Sequence, residues 1–169
     1  MKLILSLIVA LTAIVPTYGQ VPAKNFELPA VKLKDLEGKI VNSNTFSNEG
    51  KPIIISFWAT WCKPCIQELI TINEQYADWQ AETGVKLIAI SIDDVRNASK
   101  VAPFVHGKGW EYEVYLDENN DFKRALNVNM VPHTFLLDGN RKMVWQHTSY
   151  VPGDEVKLYE KVKELTGKK

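Results

Sequence analysis

The fold of this chain is decided by the stretch Ile53-Ile54-Ile55-Ser56-Phe57-Trp58-Ala59-Thr60-Trp61-Cys62-Lys63-Pro64-Cys65. Its first six residues are apolar apart from Ser56 and predict a buried strand. The apolar residues that follow Cys65 recur at helical spacing. Cys62 and Cys65 are the only cysteines of the chain. A Cys-x-x-Cys pair between a strand and a helix is typical of proteins that make and break disulfides.

A structural role explains the cysteine pair less well than a redox role. Secreted domains use disulfides for stability, but so short a loop removes little entropy from the unfolded chain. Structural zinc requires four ligands, and the histidines lack ligand spacing; they are His106, His133 and His147. The pair therefore indicates thiol-disulfide exchange, and we predict neither a metal nor a cofactor.

The two sulfurs are predicted to have different roles. Cys62 lies at the start of the helix, where unpaired N–H groups and the helix dipole favour a thiolate, and Lys63 adds a positive charge. We therefore expect Cys62 to be exposed and to attack the substrate. Cys65 lies one turn further in, on the apolar face, and is expected to resolve the mixed disulfide. Pro64 costs the first turn no hydrogen bond and stiffens the ring between the sulfurs.

The N-terminus has the pattern of an export signal. Lys2 precedes an apolar run from Leu3 to Val15, and Thr17-Tyr18-Gly19 forms a cleavage site. We predict a signal peptide at residues 1–19 and a mature domain at 20–169, which places the protein in the periplasm or another extracytoplasmic compartment. The apolar run is shorter than the roughly 20 residues that span a bilayer. An uncleaved anchor is the alternative.

Composition indicates one globular domain. Hydrophobic residues make up 46% of the 169 residues, which is enough for a substantial core. Lys and Arg number 20 and so do Asp and Glu, so the charge gives no indication of a nucleic-acid partner. The sequence contains no dimerisation segment, and we expect a monomer.

The rest of the chain predicts alternating strands and helices. A hairpin is predicted at 31–34 and 39–41, strands at 53–58, 85–92, 112–116, 134–137 and 142–147, and helices at 65–83, 97–106, 121–126 and 154–165. Pro103 is unfavourable within the second of these helices. The order predicts an α/β fold with a central mixed sheet flanked by helices. The cysteines then lie at the carboxyl end of a strand, where such sheets place their chemistry.

The segment Phe57–Cys65 resembles the active-site segment of the thioredoxin superfamily, and more narrowly that of the exported TlpA/ResA-like thiol-disulfide oxidoreductases. The predicted signal, the N-terminal hairpin, Glu68, and the segments 131–138 and 150–155 extend the resemblance to residues 26–165. It implies a thioredoxin-like fold with an added N-terminal hairpin. It also implies reduction of protein disulfides, with reducing equivalents supplied by a membrane donor of the DsbD/CcdA type. Cytochrome c maturation is one task of this subgroup.

The resemblance assigns further site residues. Pro132 matches the cis-proline that faces the disulfide, and the backbone of Val131 then offers strand-like hydrogen bonds to a substrate peptide. Met130 departs from the small Gly often found at its position. Glu68 matches a carboxylate that adjusts the protonation of the cysteines. The alternative for Glu68 is an ordinary solvated helix residue. Ser56 replaces the Asp of thioredoxins proper, which makes Glu68 the substitute proton route.

Three aromatic residues accompany the site in the sequence. Trp58 is expected to be a packing residue, whereas Trp61, beside Cys62, is expected to be exposed and to contact a partner. His133 follows the proline and is expected to be a partly exposed structural residue.

Other functions of the same motif stay open at this point. The direction of electron flow depends on the relative stability of thiolate and disulfide, so a disulfide oxidant or isomerase is the main alternative. A copper carrier would use the two thiolates and His133 as a third ligand. A thiol peroxidase would need a peroxide-activating pocket, whereas both cysteines here belong to the Cys-x-x-Cys motif.

Overall fold

The computed structural model describes residues 26–167. The predicted signal peptide, residues 1–19, and the first residues of the predicted mature domain lie outside this range. The strands are β1 (Lys32–Lys34), β2 (Ile40–Asn42), β3 (Ile53–Trp58), β4 (Lys86–Ser91), β5 (Glu113–Leu116), β6 (His133–Leu137) and β7 (Met143–Thr148). The helices are α1 (Lys63–Thr83), α2 (Val101–Lys108), α3 (Asp121–Ala125) and α4 (Asp154–Thr166). None of these helices is long and apolar enough to cross a membrane.

The seven strands form one mixed sheet in the order β2-β1-β5-β4-β3-β6-β7. Strands β3, β4 and β5 run parallel, while β6 is antiparallel to β3 and β7 is antiparallel to β6. The β1–β2 hairpin joins the other side of the sheet where Lys34 pairs with Leu116 of β5. The predicted α/β class, mixed sheet and added N-terminal hairpin are therefore confirmed.

Strand β3 forms the centre of the core, and all six of its residues are buried. Phe57 points to one face of the sheet, where its ring lies 5.4 Å from that of Phe122 in α3. Trp58 packs against Phe104 of α2 and against Trp110, with ring centroids 5.7 and 5.0 Å away. Burial on both faces explains why β3 is apolar at nearly every position rather than at every second one.

Helix α1 follows β3 directly and carries the cysteines at its start. Cys62 is the N-cap residue, and its Sγ accepts the N–H of Cys65 at 3.3 Å. The helix ends at the C-cap Gly84, which takes up a left-handed backbone conformation (φ 68°). Near this end Trp79 stacks on Tyr159 of α4 at 4.6 Å, so α1 and α4 pack side by side.

Helix α2 begins later than predicted. Residues Ala98–Lys100 form a 3₁₀ turn, and the α-helix runs from Val101 to Lys108. Pro103 is therefore the third residue of the helix. Because the N–H groups of the first turn have no intrahelical acceptor, a proline there interrupts nothing. Pro103 is therefore compatible with helix α2.

Candidate active site

The two cysteines form a disulfide at the junction between β3 and α1, with Cα atoms 5.3 Å apart. Cys65 is fully buried, as its predicted position on the apolar face requires. The prediction that Cys62 is exposed is wrong for this state, since Cys62 is only 5% exposed. Its sulfur is turned inward over the first turn of α1, where it bonds to Cys65 and accepts the N–H of the same residue.

The residues around the disulfide form a partly apolar rim. Lys63 and Pro64 are exposed, and Trp61 is 62% exposed, as predicted. Trp58 is completely buried, which confirms its packing role. Met130 is a second large exposed apolar side chain, at 55%.

The predicted cis-proline is present. The Val131–Pro132 peptide bond is cis, Pro132 is buried and Val131 is half-buried. The next residue, His133, pairs with Phe57 in the sheet. This register places Val131 and Pro132 at the edge of the sheet where β3 ends and the cysteine loop begins.

Glu68 is buried one turn beyond Cys65, with 1% of its surface exposed. This burial rules out the alternative of a solvated helix glutamate. The Oγ1 atom of Thr134, in β6, lies 2.9 Å from Glu68 Oε1 and 3.1 Å from Ser56 Oγ. The single hydroxyl proton of Thr134 can serve only one of them, and an ionised carboxylate is an acceptor only. With Glu68 ionised, Thr134 therefore donates to Glu68 and accepts from Ser56.

His147 lies on the other side of the Glu68 carboxylate. Its Nε2 atom is 3.1 Å from Glu68 Oε1, and its side chain is 15% exposed. The ring N–H does not point at that oxygen, and neither ring nitrogen has a hydrogen-bond partner among residues 26–167. Glu68 Oε2 has no such partner within this range either. The two groups are thus close without being hydrogen-bonded, and passing a proton between them requires the ring to reorient.

Two buried phenols lie near this carboxylate. Burial raises the pKa of Tyr112, and the negative charge of Glu68 raises it further. Burial is also the main cause of the raised pKa of Tyr150, to which Glu68 contributes. Both phenols therefore stay protonated at neutral pH and do not act as bases beside Glu68.

A second buried carboxylate, Asp93, lies on the opposite flank of the cysteine loop. Its Oδ2 accepts the Thr60 N–H and the Ser91 hydroxyl, both at 2.8 Å, and its Oδ1 accepts the Thr60 hydroxyl at 2.6 Å. Thr60 lies two residues before Cys62. Asp93 thus fixes the loop that presents the first cysteine.

Three of these site residues were missed by the sequence analysis. Asp93 lies two residues after the end of β4, at the carboxyl edge of the sheet, which is a usable signal. Thr134 lies two residues after the predicted cis-proline. His147 shares the inner face of β7 with Met143 and Trp145, in a strand that alternates between half-buried and exposed residues. That alternation could have placed His147 toward α1, although it does not identify a partner.

His133 is more buried than predicted, at 8% exposure, and its role is structural. Its Nε2 lies 3.1 Å from Gln146 Oε1, and its ring stacks on Phe135 at 4.3 Å. Burial lowers the pKa of His133. Within residues 26–167, no group of three or more His, Cys, Asp or Glu side chains is arranged to hold a metal ion.

Comparison with known proteins connects this geometry to a family. The model of the AhpC/TSA family matches residues 20–146. The chain is 32% identical over 142 residues to thiol-disulfide oxidoreductase ResA of Bacillus thuringiensis subsp. konkukian, covering 83% of this chain and 77% of that protein. A solved thioredoxin-like protein from Porphyromonas gingivalis is 59% identical, with a TM-score of 0.75 and coverage of 83% and 92%. A Chlorobium tepidum structure, described as a candidate thiol:disulfide interchange protein DsbE, is 26% identical, with a TM-score of 0.73 and coverage of 85% and 98%. The predicted thioredoxin-like fold is thereby confirmed.

Proposed function

This chain belongs to the AhpC/TSA family and is a thiol-disulfide oxidoreductase of the ResA type, and from that premise we propose that it reduces disulfides in exported proteins. The observation that carries the proposal is the Cys62–Cys65 disulfide at the N-terminus of α1, with the buried Glu68 carboxylate one turn away. A helix N-terminus stabilises a thiolate, and a buried acid next to the second sulfur can move its proton.

The proposed reaction has two exchange steps. The Cys62 thiolate attacks a substrate disulfide, forms a mixed disulfide with one substrate sulfur and releases the other as a thiolate. Cys65 then loses its proton and attacks Cys62 Sγ, which breaks the mixed disulfide and releases the second substrate thiolate. The two released thiolates take up protons, so the substrate gains two electrons and two protons while the enzyme is oxidised to the disulfide.

A peptide substrate is proposed to bind across the rim of the site. The exposed Trp61 ring provides apolar contact surface beside Cys62. Val131 lies at the edge of the sheet, next to the cis-proline, and its backbone is proposed to pair with an extended chain. Lys63 and Pro64 are proposed to adjust the reactivity of the pair from within the ring that the two sulfurs close.

The cellular setting is also part of the proposal. The sequence pattern supports a cleaved signal peptide at 1–19, a mature domain at 20–169 and an extracytoplasmic location. In an oxidising compartment a reductase must be recharged, and a membrane thiol-disulfide donor of the DsbD/CcdA type fits that need. Protein disulfides, including those formed during cytochrome c maturation, are the proposed substrates of a monomeric enzyme.

The reduction potential of the Cys62–Cys65 pair tests the proposed direction of electron flow. The protein is equilibrated with defined thiol buffers, and the fractions of dithiol and disulfide are measured. A value near or below about −250 mV, close to that of thioredoxin, supports a reductase. A value near about −120 mV would make the protein a disulfide donor and would overturn the proposal.

A trapping experiment tests the proposed roles of the two sulfurs. Cys65→Ser should accumulate a mixed disulfide between Cys62 and a protein substrate, because the resolving sulfur is missing. Cys62→Ser should form no such adduct. Equal trapping by the two variants would contradict the assignment of Cys62 as the attacking residue.

A further inference from the structure

We propose that His147 is a proton relay for Glu68, carrying the proton of Cys65 from the buried carboxylate to a surface pocket during the second exchange step. The inference rests on the proposed roles of Cys62 and Cys65. His147 lies on β7, 82 positions after Cys65 in the sequence. The proposal gives it a part in the deprotonation of the resolving sulfur. His147 is a positioning and relay residue, since it contacts Glu68 rather than the sulfurs.

The burial of Glu68 creates the need for a relay. Glu68 is 1% exposed and Cys65 is fully buried, so a proton that passes between them has no direct exit to water. Thr134 donates its hydroxyl proton to the ionised carboxylate and therefore cannot also accept a proton from it there. His147 Nε2, at 3.1 Å from Glu68 Oε1, is the titratable nitrogen within reach.

The surroundings of His147 provide the exit. The ring lines a surface pocket of about 230 Å³ together with Trp145, Thr148, Asp154 and Lys157. Its ring nitrogens have no hydrogen-bond partner within residues 26–167, so no such bond fixes the ring in one orientation. Both ring nitrogens are buried as the ring lies, so the relay requires the ring to turn: it accepts the proton at the carboxylate and releases it at the pocket.

The charges around the pair suit a histidine that becomes briefly protonated. Asp154, at the start of α4, has a pKa held below its usual range by the Val151 N–H and by Lys157, with His147 contributing. Its negative charge therefore persists at neutral pH beside the pocket that His147 lines. The titratable and charged groups around the pair are Tyr112, Tyr150, His133, Asp154, Glu155 and Lys157.

In a mixed disulfide between Cys62 and an aromatic thiol, Cys65–SH loses its proton to Glu68, and the new thiolate attacks Cys62 Sγ. The bond between Cys62 and the aromatic sulfur breaks, the aromatic thiolate leaves with the electron pair, and the Cys62–Cys65 bond forms. Glu68 passes the proton to His147, which releases it to the pocket.

The reaction of the reduced protein with Ellman's reagent tests this relay by stopped flow. The first thionitrobenzoate release reports attack by Cys62, and the second reports resolution by Cys65. Thionitrobenzoate leaves as an anion, so the only proton that must be removed in the second phase is that of Cys65. We expect His147→Gln to slow the second phase about tenfold, below the roughly 10²–10⁴-fold contribution of a direct acid–base group. The first phase should stay unchanged.

The pH profile and a rescue experiment separate a relay from a structural contact. The second phase of His147→Gln should lose part of its pH dependence, because the variant has no side chain that can take up the proton. Imidazole in the buffer should restore the second phase of His147→Ala, which has space for it. Adding His147→Gln to Glu68→Gln should cause no further slowing, because the relay then has no donor.

His133→Gln is the matched control. His133 is a buried histidine on the neighbouring strand, but it contacts Gln146 rather than Glu68. Both phases of this variant should match those of the unmodified protein. The relay is overturned if His147→Gln, folded with an unchanged urea midpoint, shows a second phase within about twofold of the His133→Gln rate. A missing first phase in the unmodified protein would instead overturn the proposed function on which the relay rests.

Discussion

Two buried carboxylates flank the cysteine pair, and their hydrogen bonding differs greatly. Asp93 accepts three hydrogen bonds from Thr60 and Ser91, which occupy both of its oxygens. Glu68 accepts one, from Thr134, and its Oε2 has no partner among residues 26–167. Burying a carboxylate without full hydrogen bonding is costly, so the unfilled oxygen of Glu68 marks a site that the fold maintains at a loss of stability.

The difference assigns a separate role to each side of the site. Asp93 acts on the segment before Cys62 and holds its geometry through donors that have no other acceptor in the described part of the chain. Glu68 acts beside Cys65 and keeps an oxygen open to a proton. The carboxylate near the attacking Cys62 thus holds the backbone in place, and the carboxylate near the resolving Cys65 exchanges protons.

The largest effect is expected from Asp93→Ala. The substitution leaves the N–H and hydroxyl of Thr60 and the hydroxyl of Ser91 without their acceptor in a buried site. We expect a loss of about 3–4 kcal/mol in the free energy of unfolding of the oxidised protein, measured by urea denaturation. Asp93→Asn keeps one oxygen acceptor and should lose less. A loss under about 1 kcal/mol for Asp93→Ala would mean that this carboxylate does not hold the loop.

Glu68→Gln should affect the rate strongly and the stability little. Glutamine keeps an oxygen to accept the Thr134 hydroxyl and removes the cost of burying a charge, so the urea midpoint should stay close to that of the unmodified protein. The Cys65 resolving phase should slow about 100-fold, because its proton acceptor is gone. Glu74→Gln, at an exposed position of the same helix, is the matched control and should change neither quantity. A destabilised but kinetically normal Glu68→Gln would reverse the roles assigned to the two carboxylates.

Thr134→Val tests the one hydrogen bond that Glu68 does receive. The replacement has nearly the same shape but lacks the hydroxyl, so the charged acceptor loses its donor. We expect a loss of about 1.5–3 kcal/mol in unfolding free energy. Thr134→Ser keeps the hydroxyl and should recover most of it. Ser56→Ala should cost less than Thr134→Val, because Ser56 reaches the carboxylate only through Thr134. Equal losses for these two variants would show that Thr134 does not donate mainly to Glu68.

Local patterns were sufficient to predict the frame of the site. The apolar run of β3 and the cysteines at the start of α1 are encoded within a few residues of one another. The cis state of Pro132 followed from resemblance. The predicted exposure of Cys62 is wrong for the disulfide state, in which only 5% of its surface is accessible. A role in attack on a substrate does not require the sulfur to be exposed while it is bonded to Cys65.

The polar partners could not be predicted because they depend on pairings distant in sequence. Asp93 meets Thr60 across the neighbouring strands β3 and β4. His147 reaches Glu68 because Thr134 pairs with His147 in the β6–β7 register. A helical repeat predicts which residues share the face of Cys65, but it does not give the strand positions opposite that face. The different roles of Asp93 and Glu68 therefore depend on how the strands pair in the sheet.

The smallest effect on stability is expected from substitution of His133, which lies near Glu68 but contacts Gln146 instead. Burial lowers the pKa of His133 in the folded protein, so folding disfavours its charged form. The stability contributed by the neutral ring is complete above the ordinary histidine pKa of about 6.5, and it declines as the pH falls through that value toward the lower pKa of the folded state. Urea midpoints should therefore fall on acidification in the unmodified protein and fall less in His133→Gln. The exposed His106→Gln should keep the full decline. If His133→Gln also changed the Cys65 resolving rate, proton exchange would extend beyond Glu68 and His147 to the next strand.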